Sequence, residues 1–587
     1  MPSGASTGQL SATGKRWVVR DCDEGQRDAL AAAVGVSPIV ARLLVNRGVA
    51  TASAAQRFLA PELGHLHEPG LLPDIDKAVE RIRRAVGAGE KILIYGDYDA
   101  DGVTAISLLV LLLRELHVEP EVYIPHRVDE GYGLHRDAIE AAAADGVTLI
   151  VTVDCGISAV AEIERARELG IDVVVTDHHE PGRTVPRAAA VVDPKLTGCL
   201  YPYRELAGVG VAFKLAWALA QTFSPGKRVT PAFRQFLLDA MSLVAIGTVA
   251  DVVPLTGENR VFVCYGLEAL RQSTSPGIAA LVRQAGVGGK RLKPRDVSFK
   301  LGPRLNAAGR LGEADVCVEL LTCESPERAA EIATLLDEKN RQRRQVQDDI
   351  LLAARQELGE PAEWADRRAI VLAAPGWHAG VLGVVASRLV EEFHRPTVLL
   401  SIDGDEARGS ARSVPGLNLF EAIEACEPLL RNYGGHSGAA GVTLAAERLE
   451  EFREQFEQQV RGRLGAEEPR EIVEIEAEVA LAAVGRALVD ELDRLAPYGE
   501  GNPPPVLVCP GVAVAGQPQP MGREGQHIAF YVRQGEASLR VVGFGMGGLY
   551  EELAQGGVGC DIAFTPYVSH FRGSEEVELR LCDLRLR

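Results

Sequence analysis

Three aspartates alternate in Gly96-Asp97-Tyr98-Asp99-Ala100-Asp101-Gly102, directly after the apolar run Ile92-Leu93-Ile94-Tyr95. Like charges this crowded repel one another unless a cation sits among them, so the pattern points to metal chemistry. If extended backbone persists through the acidic stretch, the two-residue period of a strand puts Asp97, Asp99 and Asp101 on one side. A calcium loop of the EF-hand type opens similarly but needs a bidentate Glu six positions after its glycine, where this chain has Leu108. A solvated acidic turn is the plainer alternative, since Asp and Gly are ordinary turn residues.

What weighs against that alternative lies further along. Residues 149–153 run into Asp154-Cys155-Gly156, 173–175 into Thr176-Asp177-His178-His179, and the apolar stretch 243–250 into Asp251. A single Asp in such a place is usually a helix cap. Four apolar segments ending in Asp or His, in a fold that brings strand ends together, are harder to explain by caps. Mixed carboxylate and imidazole donors suit a pair of Mn²⁺ or Mg²⁺ ions better than Ca²⁺, which prefers oxygen alone.

The elements that must position these residues follow from the pattern around them. From Lys91 onward, β runs at 92–95, 121–124, 149–153, 173–175 and 190–192 alternate with helical stretches, the signature of a mostly parallel sheet with helices on both faces. Residues 103–111 read as a helix on that sheet, which places the metals at the carboxyl end of a strand, where open α/β sheets bind ligands. The 587 residues suffice for three or four domains, and 47% hydrophobic with 24% charged residues is ordinary globular composition. No segment reads as long and uncharged enough to span a bilayer, and the polar stretch 1–15 reads as a disordered lead-in to a cytoplasmic protein. Ten scattered cysteines with no Cys-x-x-Cys pair argue against a disulfide framework or a zinc ribbon. A net charge of -19 repels phosphate on average, so a nucleic-acid partner must be held by a local basic groove or through metal ions.

The acidic heptapeptide, the Asp154-Cys155-Gly156 turn, Asp177-His178-His179 and Gly247-Thr248-Val249-Ala250-Asp251-Val252-Val253-Pro254-Leu255 together resemble the DHH phosphoesterases. Gly302-Pro303-Arg304-Leu305-Asn306-Ala307-Ala308-Gly309-Arg310 looks like the motif of that family's RecJ branch, the single-strand-specific 5′→3′ DNA exonucleases. The likeness runs from Lys91 to the end of the sequence. It implies Asp99, Asp101, Asp154, His178 and Asp251, with Asp97, as ligands of two Mn²⁺ or Mg²⁺ ions, one central carboxylate bridging. His179 would contact phosphate or protonate the leaving oxygen. Arg304, Asn306 and Arg310 would stabilise phosphate charge or position the strand.

Further along, Ser325-Pro326-Glu327 starts a helix running to about Leu358, a rigid connector whose Lys339, Arg341, Arg343 and Arg344 read as a solvated face. Three Gly-rich stretches follow, around His378, at Gly409-Ser410-Ala411-Arg412-Ser413 and at Gly434-Gly435-His436. As loops beside helix starts they offer N–H donors to phosphate, with Arg412 as a bidentate donor. They resemble the DHH-associated domain, which implies that His378, Ser410, Arg412, Gly434, Gly435 and His436 hold substrate across a cleft from the metals. Short strands after Ile472 suggest a small barrel, by resemblance an OB-fold, with Phe530, Tyr531, Phe544, Tyr567 and Phe571 as candidate base-stacking residues.

The expected architecture is therefore α/β: a lead-in over 1–15, N-terminal helices with the DHH domain over 16–324, a connecting helix over 325–358, the associated domain over 359–467 and the OB barrel over 468–587. The expected activity is metal-dependent hydrolysis of single-stranded DNA from the 5′ end to mononucleotides, in repair and recombination. The expected protein is a monomer away from membranes, with a helicase or single-strand-binding protein as candidate partners. The alternatives are a nanoRNase, cyclic-dinucleotide phosphodiesterase or pyrophosphatase of the same family, or a scaffold that binds DNA without cutting it.

Overall fold

The computed structural model describes residues 10–587 apart from 128, 227, 361–363, 365, 466–469, 556–558 and 571–574. The chain divides into two units, Leu66–Pro469 and a composite of Met1–His65 with Arg470–Arg587.

In Leu66–Pro469 a parallel sheet has the strand order Glu121–Tyr123, Ile92–Gly96, Leu149–Val153, Asp172–Thr176, Ala190–Val192. The runs Ile92–Gly96 and Leu149–Val153 are buried throughout, as unbroken apolar strands covered on both faces must be. They are neighbours, with Gly96 opposite Val153, so the chain leaves two adjacent strand ends at Asp97 and Asp154, at the switch point of the sheet.

The helices Ala100–Glu115, Gly208–Thr222 and Pro231–Ala250 pack against one another. Contrary to the expectation from sequence, Pro231–Ala250 is long and apolar enough to cross a membrane by length and composition. Its apolar residues from Leu243 to Val249 are buried in the fold, so the composition serves the core.

The connecting helix spans Pro326–Leu358, with the Ser325 side chain accepting from Arg328 N at its start. It leads to a mixed sheet ordered Leu430–Gly435, Ala439–Ala445, Glu406–Arg412, Thr397–Asp403, Ile370–Pro375. Two of the three Gly-rich stretches expected as loops are not loops. Only the Gly376 stretch leads into a helix, Ala379–Phe393, whereas Gly409 to Arg412 and Gly434-Gly435 are strand. Buried Ala407 and Ala411 give Glu406–Arg412 its core-facing side, a periodicity masked by small residues. In register, Ser410 lies opposite Gly441, which lies opposite Gly434.

The second unit is a closed five-stranded barrel, running Leu507–Met521, His527–Gln534, Ala537–Gly543, Glu576–Leu586, Gly559–Ser569 and back to the first strand. Residues 16–65, expected to accompany the catalytic region, belong here instead. Arg16–Val19 pairs in parallel with Ile472–Ile475. The short helices Glu24–Val34, Pro38–Asn46 and Ala52–Leu59 bury Leu30, Leu43, Leu44 and Phe58 in one core with Leu488, Phe530 and Phe564. Helices of this length cannot bury an apolar face alone and take one from the barrel. Of the lead-in, residues 1–9 lie outside the described part, whereas the turn that follows is ordered. Ala12 N donates to Leu584 O, and Thr13 and Trp17 donate to the two oxygens of Asp583.

Phe530 is core, while Tyr531 and Phe544 are half exposed, and Arg580 lies over the rings of Phe544 and Tyr567. Phe571 lies outside the described residues.

Arg47 and Glu476 form a buried bidentate pair, at 2.5 and 3.1 Å, that ties the helices to the barrel. Arg47→Ala leaves a buried carboxylate without its cation and is expected to cost roughly 3–5 kcal/mol. Equilibrium denaturation of the full chain followed by Trp17 fluorescence, with Trp217, Trp364 and Trp377 replaced by Phe in parent and variant alike, measures this, and a loss under about 1 kcal/mol would make the pair incidental.

Candidate metal centre

The strand Ile92–Gly96 ends before the aspartates, so period-2 alternation is not what gathers them. Asp97 sits at the strand's carboxyl edge, Asp99 is the N-cap of Ala100–Glu115 and Asp101 lies in that helix's first turn. The Asp99 carboxylate accepts from the N–H groups of Asp101 and Gly102 at 2.9 and 3.1 Å. Gly102 is required at this turn because a Cβ there would run into the backbone of Asp97.

Asp101 caps a second helix. Its two oxygens accept from Gly208 N at 2.6 Å and Val209 N at 3.0 Å, supplying the cap that Ala207 cannot. A Cβ at Gly208 would come within 2.6 Å of an Asp154 carboxylate oxygen, so only glycine lets this helix start approach both acids. Asp154 itself has a left-handed backbone, φ 60°, which turns its side chain back over the strand ends. Asp251 arrives from a helix, as the C-cap of Pro231–Ala250, and is followed by Val252 at φ 62°. A β-branched residue rarely adopts that conformation, and here the strain stands beside a candidate ligand.

His178 is the hub. Its Nε2 is 3.1 Å from Asp154 Oδ1, 3.7 Å from Asp251 Oδ2 and 3.9 Å from Asp101 Oδ2. Three donor sets each fit around one point: Asp97, Asp99 and Asp154; Asp101, His178 and Asp251; and Asp154, His178 and His179. Among the described residues, Asp97 Oδ1, Asp154 Oδ1 and His178 Nε2 are buried with no hydrogen-bond partner. Buried polar atoms are rarely left so, and aimed at one another as these are, they fit divalent cations of the Mn²⁺ or Mg²⁺ class. The ligand set expected from sequence is thus brought together complete.

Charge in this cluster is frustrated without a cation. Burial and the surrounding carboxylates push Asp97 and Asp154 far above the usual range, Asp101 to about 7 and Asp251 to about 9. Burial, with the neighbouring His179, lowers His178 to about 3, so it offers a neutral imidazole as a ligand must. His179 goes the other way. Although burial opposes its charge, the hydrogen bond and field of Asp177 raise it to about 9. Asp177 had no expected role of its own. It accepts from Ile157 N, His178 N and His179 N as well as from His179 Nδ1 at 2.7 Å, and so fixes the backbone of both histidines and the imidazole of His179. Tyr132, in a loop that no motif marks, also joins the site: its hydroxyl contacts His179 Nδ1 at 3.0 Å and donates to Asp154 O.

The remaining expected residues separate. Asn306 Oδ1 accepts from Ala100 N at 2.7 Å, so it holds the start of the helix that carries Asp101. Arg304 is ion-paired with Asp337 at 2.7 Å and donates to Lys300 O. His378 is the N-cap residue of Ala379–Phe393, with its Nδ1 buried and unpartnered among the described residues. His436 is exposed, accepting from Gly438 N, and Gly434 and Gly435 lie exposed on an edge strand.

Arg310 and Arg412 differ from Arg304. Arg310 donates to Gly380 O and Arg412 to Ala411 O, both at 2.8 Å, and among the described residues neither has a carboxylate partner. Arg127, which no motif marks, lies over the Tyr98 ring at 4.6 Å, also without an ion pair among the described residues. Burial and the charges of Arg127, Arg343 and Arg412 destabilise the Arg310 cation. A guanidinium stays protonated regardless, so this group of cations calls for an anion.

Metal binding is linked to pH through the same acids. Carboxyls raised in the folded state stabilise it below their unfolded pKa, near 4, and lose that contribution as pH climbs through about 7 for Asp101 and about 9 for Asp251. Added Mn²⁺ removes the repulsion. The Mn²⁺-induced rise in melting temperature is therefore expected to be larger at pH 8 than at pH 6, by calorimetry against EDTA-treated protein, and an equal rise at both contradicts the linkage.

Comparison with known proteins adds the family. Residues 91–248 match the DHH family N-terminal domain, 366–462 the DHHA1 domain and 475–583 the RecJ OB domain. The single-stranded-DNA-specific exonuclease RecJ of Bacillus subtilis (strain 168) is 38% identical over 549 residues, 93% of this chain and 68% of that protein. RecJ of Escherichia coli (strain K12) is 39% identical over 438 residues, 71% of this chain and 74% of that protein. The crystal structure of RecJ in complex with Mn²⁺ from Thermus thermophilus superposes with a TM-score of 0.82 at 31% identity, covering 97% of this chain and 79% of that one. With these relatives, all three domain matches and a complete donor set, the chain belongs to the RecJ family of single-stranded-DNA-specific exonucleases.

Proposed function

We propose that the chain hydrolyses single-stranded DNA from its 5′ end, one nucleotide at a time, with two divalent metal ions at the centre formed by Asp97, Asp99, Asp101, Asp154, His178 and Asp251. The observation that carries this reading is the pairing of three overlapping donor sets with three arginines that have no carboxylate partner among the described residues. When bound, a pair of such ions lowers the pKa of a water and neutralises charge on the attacking and leaving oxygens of a phosphodiester.

The protein's own groups do the rest. Asp154 belongs to two of the donor sets and lies 3.1 Å from His178, which makes it the preferred bridging carboxylate. Asp177 holds the Nδ1 proton of His179, leaving Nε2–H to contact phosphate or to protonate the leaving 3′-oxygen, and the high pKa of His179 suits both. Asn306 keeps the Asp99–Asp101 turn in place. Arg127, Arg310 and Arg412 receive the terminal 5′-phosphate, which carries more charge than an internal diester. The barrel, with Tyr531 and Phe544 half exposed, contributes affinity for longer strands.

Asp154→Asn is the cleanest ligand test, because Asn tolerates a left-handed backbone better than Ala does. It is expected to abolish Mn²⁺-dependent release of nucleotides from end-labelled single strands while the melting temperature in EDTA does not fall. Turnover within about tenfold of the parent would remove Asp154 from the centre.

Arg412→Ala is expected to weaken 5′-phosphorylated strands by about 1.5–3 kcal/mol, the range for a hydrogen bond to a charged group, and to narrow their advantage over 5′-hydroxyl strands. Degradation of both substrates by parent and variant measures it. An equal loss on the two, or none, means that Arg412 does not read the 5′ end.

A further inference from the structure

Lys195 is a cation beside the metal centre that neither the motifs nor the ligand set uses. It follows the strand Ala190–Val192, the last in the sheet, at the carboxyl edge where Asp97 and Asp154 also emerge. Its backbone is pinned on both sides: Lys195 N donates to Asp193 Oδ1 at 2.7 Å, and Arg204 donates to Lys195 O at 2.6 Å. Its side chain is only 17% exposed, although it ends in an ammonium. The one ion pair it makes among the described residues is loose, 3.5 Å to Glu180, whose side chain is 79% exposed. A pair so open to solvent contributes little and is easily exchanged for another anion.

Glu180 directly follows His178 and His179, so this contact sets the ammonium over the loop that carries the imidazoles. The field of Lys195 reaches His178 and Asp251, two members of one donor set. The fields of Arg127 and Arg310 reach Asp97 and Asp99, members of another. Positive groups of this chain thus stand by both donor sets, guanidiniums by one and a primary ammonium by the other.

That layout gives the substrate a direction. An exonuclease that removes one nucleotide has only one nucleoside between the terminal phosphate and the scissile phosphate, and everything else lies 3′ of the cut. With the terminal phosphate on the guanidiniums, a strand continuing to the other donor set would pass His178 and Asp251, and Lys195 is a cation of this chain whose charge acts on both. We infer that Lys195 binds the first phosphodiester 3′ of the scissile bond, so that it acts on substrates of three or more nucleotides. A compact, strongly hydrated ammonium suits a diester, with its single charge and no fork geometry to match. The inference rests on the proposed 5′ direction, and Lys195 is a substrate-positioning residue in it.

The test compares 5′-phosphorylated dinucleotide and trinucleotide on the full-length parent, Lys195→Met and Lys195→Arg in Mn²⁺. The dinucleotide has no phosphate beyond the scissile one; the trinucleotide has one. Lys195→Met is expected to raise KM for the trinucleotide roughly tenfold more than for the dinucleotide, the size of one charge-assisted contact, with kcat affected alike on both. Lys195→Arg is expected to recover most of that difference.

Replacing the second internal diester of the trinucleotide by a neutral methylphosphonate is expected to raise the parent's KM by the same factor and add nothing in Lys195→Met. On long single strands, Lys195→Met is expected to reduce the salt slope of binding by about 0.7, one phosphate's worth. Equal losses on the two lengths, or additive effects of Lys195→Met and the methylphosphonate, would overturn the inference. If Lys195→Met unfolds, the parent alone still decides, since indifference to the methylphosphonate overturns it as well. Failure of the 5′ reading registers elsewhere, in an Arg412→Ala that treats 5′-phosphate and 5′-hydroxyl ends alike.

Discussion

Mutual repulsion among buried carboxylates is the constraint on which the catalytic unit depends. Two such charges about 4 Å apart in a partly shielded interior oppose each other by roughly 4 kcal/mol. Here Asp97, Asp101 and Asp154 are buried, with Asp99 and Asp251 beside them. A few such pairs rival the whole net stability of a domain, about 5–15 kcal/mol, so the cluster must hold protons or cations. The surrounding architecture limits the cost. The helix Ala100–Glu115 takes Asp99 as its cap, and the helix Gly208–Thr222 turns its first N–H groups onto Asp101. These donors favour the ionised forms, and the strand ends keep the acids within one cation's reach.

The acids were legible in the sequence because each follows an apolar segment, and apolar segments announce where a buried sheet or helix ends. How they converge was less so. Alternation in Asp97, Asp99 and Asp101 suggested one face of a strand, whereas two of the three belong to a helix start. The strand-like outcome and the capped-helix outcome share the same residues, since Asp and Gly serve both edges. Asp251 comes from a helix end for a related reason: an apolar run of this kind does not declare its own period.

Other features left no local trace. Arg127 stands alone in a loop, and only the fold brings it beside Arg310 and Arg412. Arg304 and Arg310 share one motif, yet Asp337, on the connecting helix, occupies the first and leaves the second. Glycines at 409, 434 and 435 read as loop residues although they sit in strands, because small side chains hide the two-residue period. The helices before His65 show apolar faces in the sequence but not what covers them, and their partner is more than 400 residues away.

So distant a partner constrains how the protein is made. The segment Met1–His65 leaves the ribosome well before its core partners in Arg470–Arg587 are synthesised. At roughly 5–20 residues per second, the intervening chain keeps the first helices waiting for about 20–80 seconds with Leu43, Leu44 and Phe58 uncovered. The metal-binding unit, Leu66–Pro469, is complete before that wait ends. Synthesis therefore delivers the cutting half before the half with the barrel. A chain released early carries an exposed apolar segment that chaperones and proteases can recognise, a built-in mark of incompleteness on an unfinished nuclease.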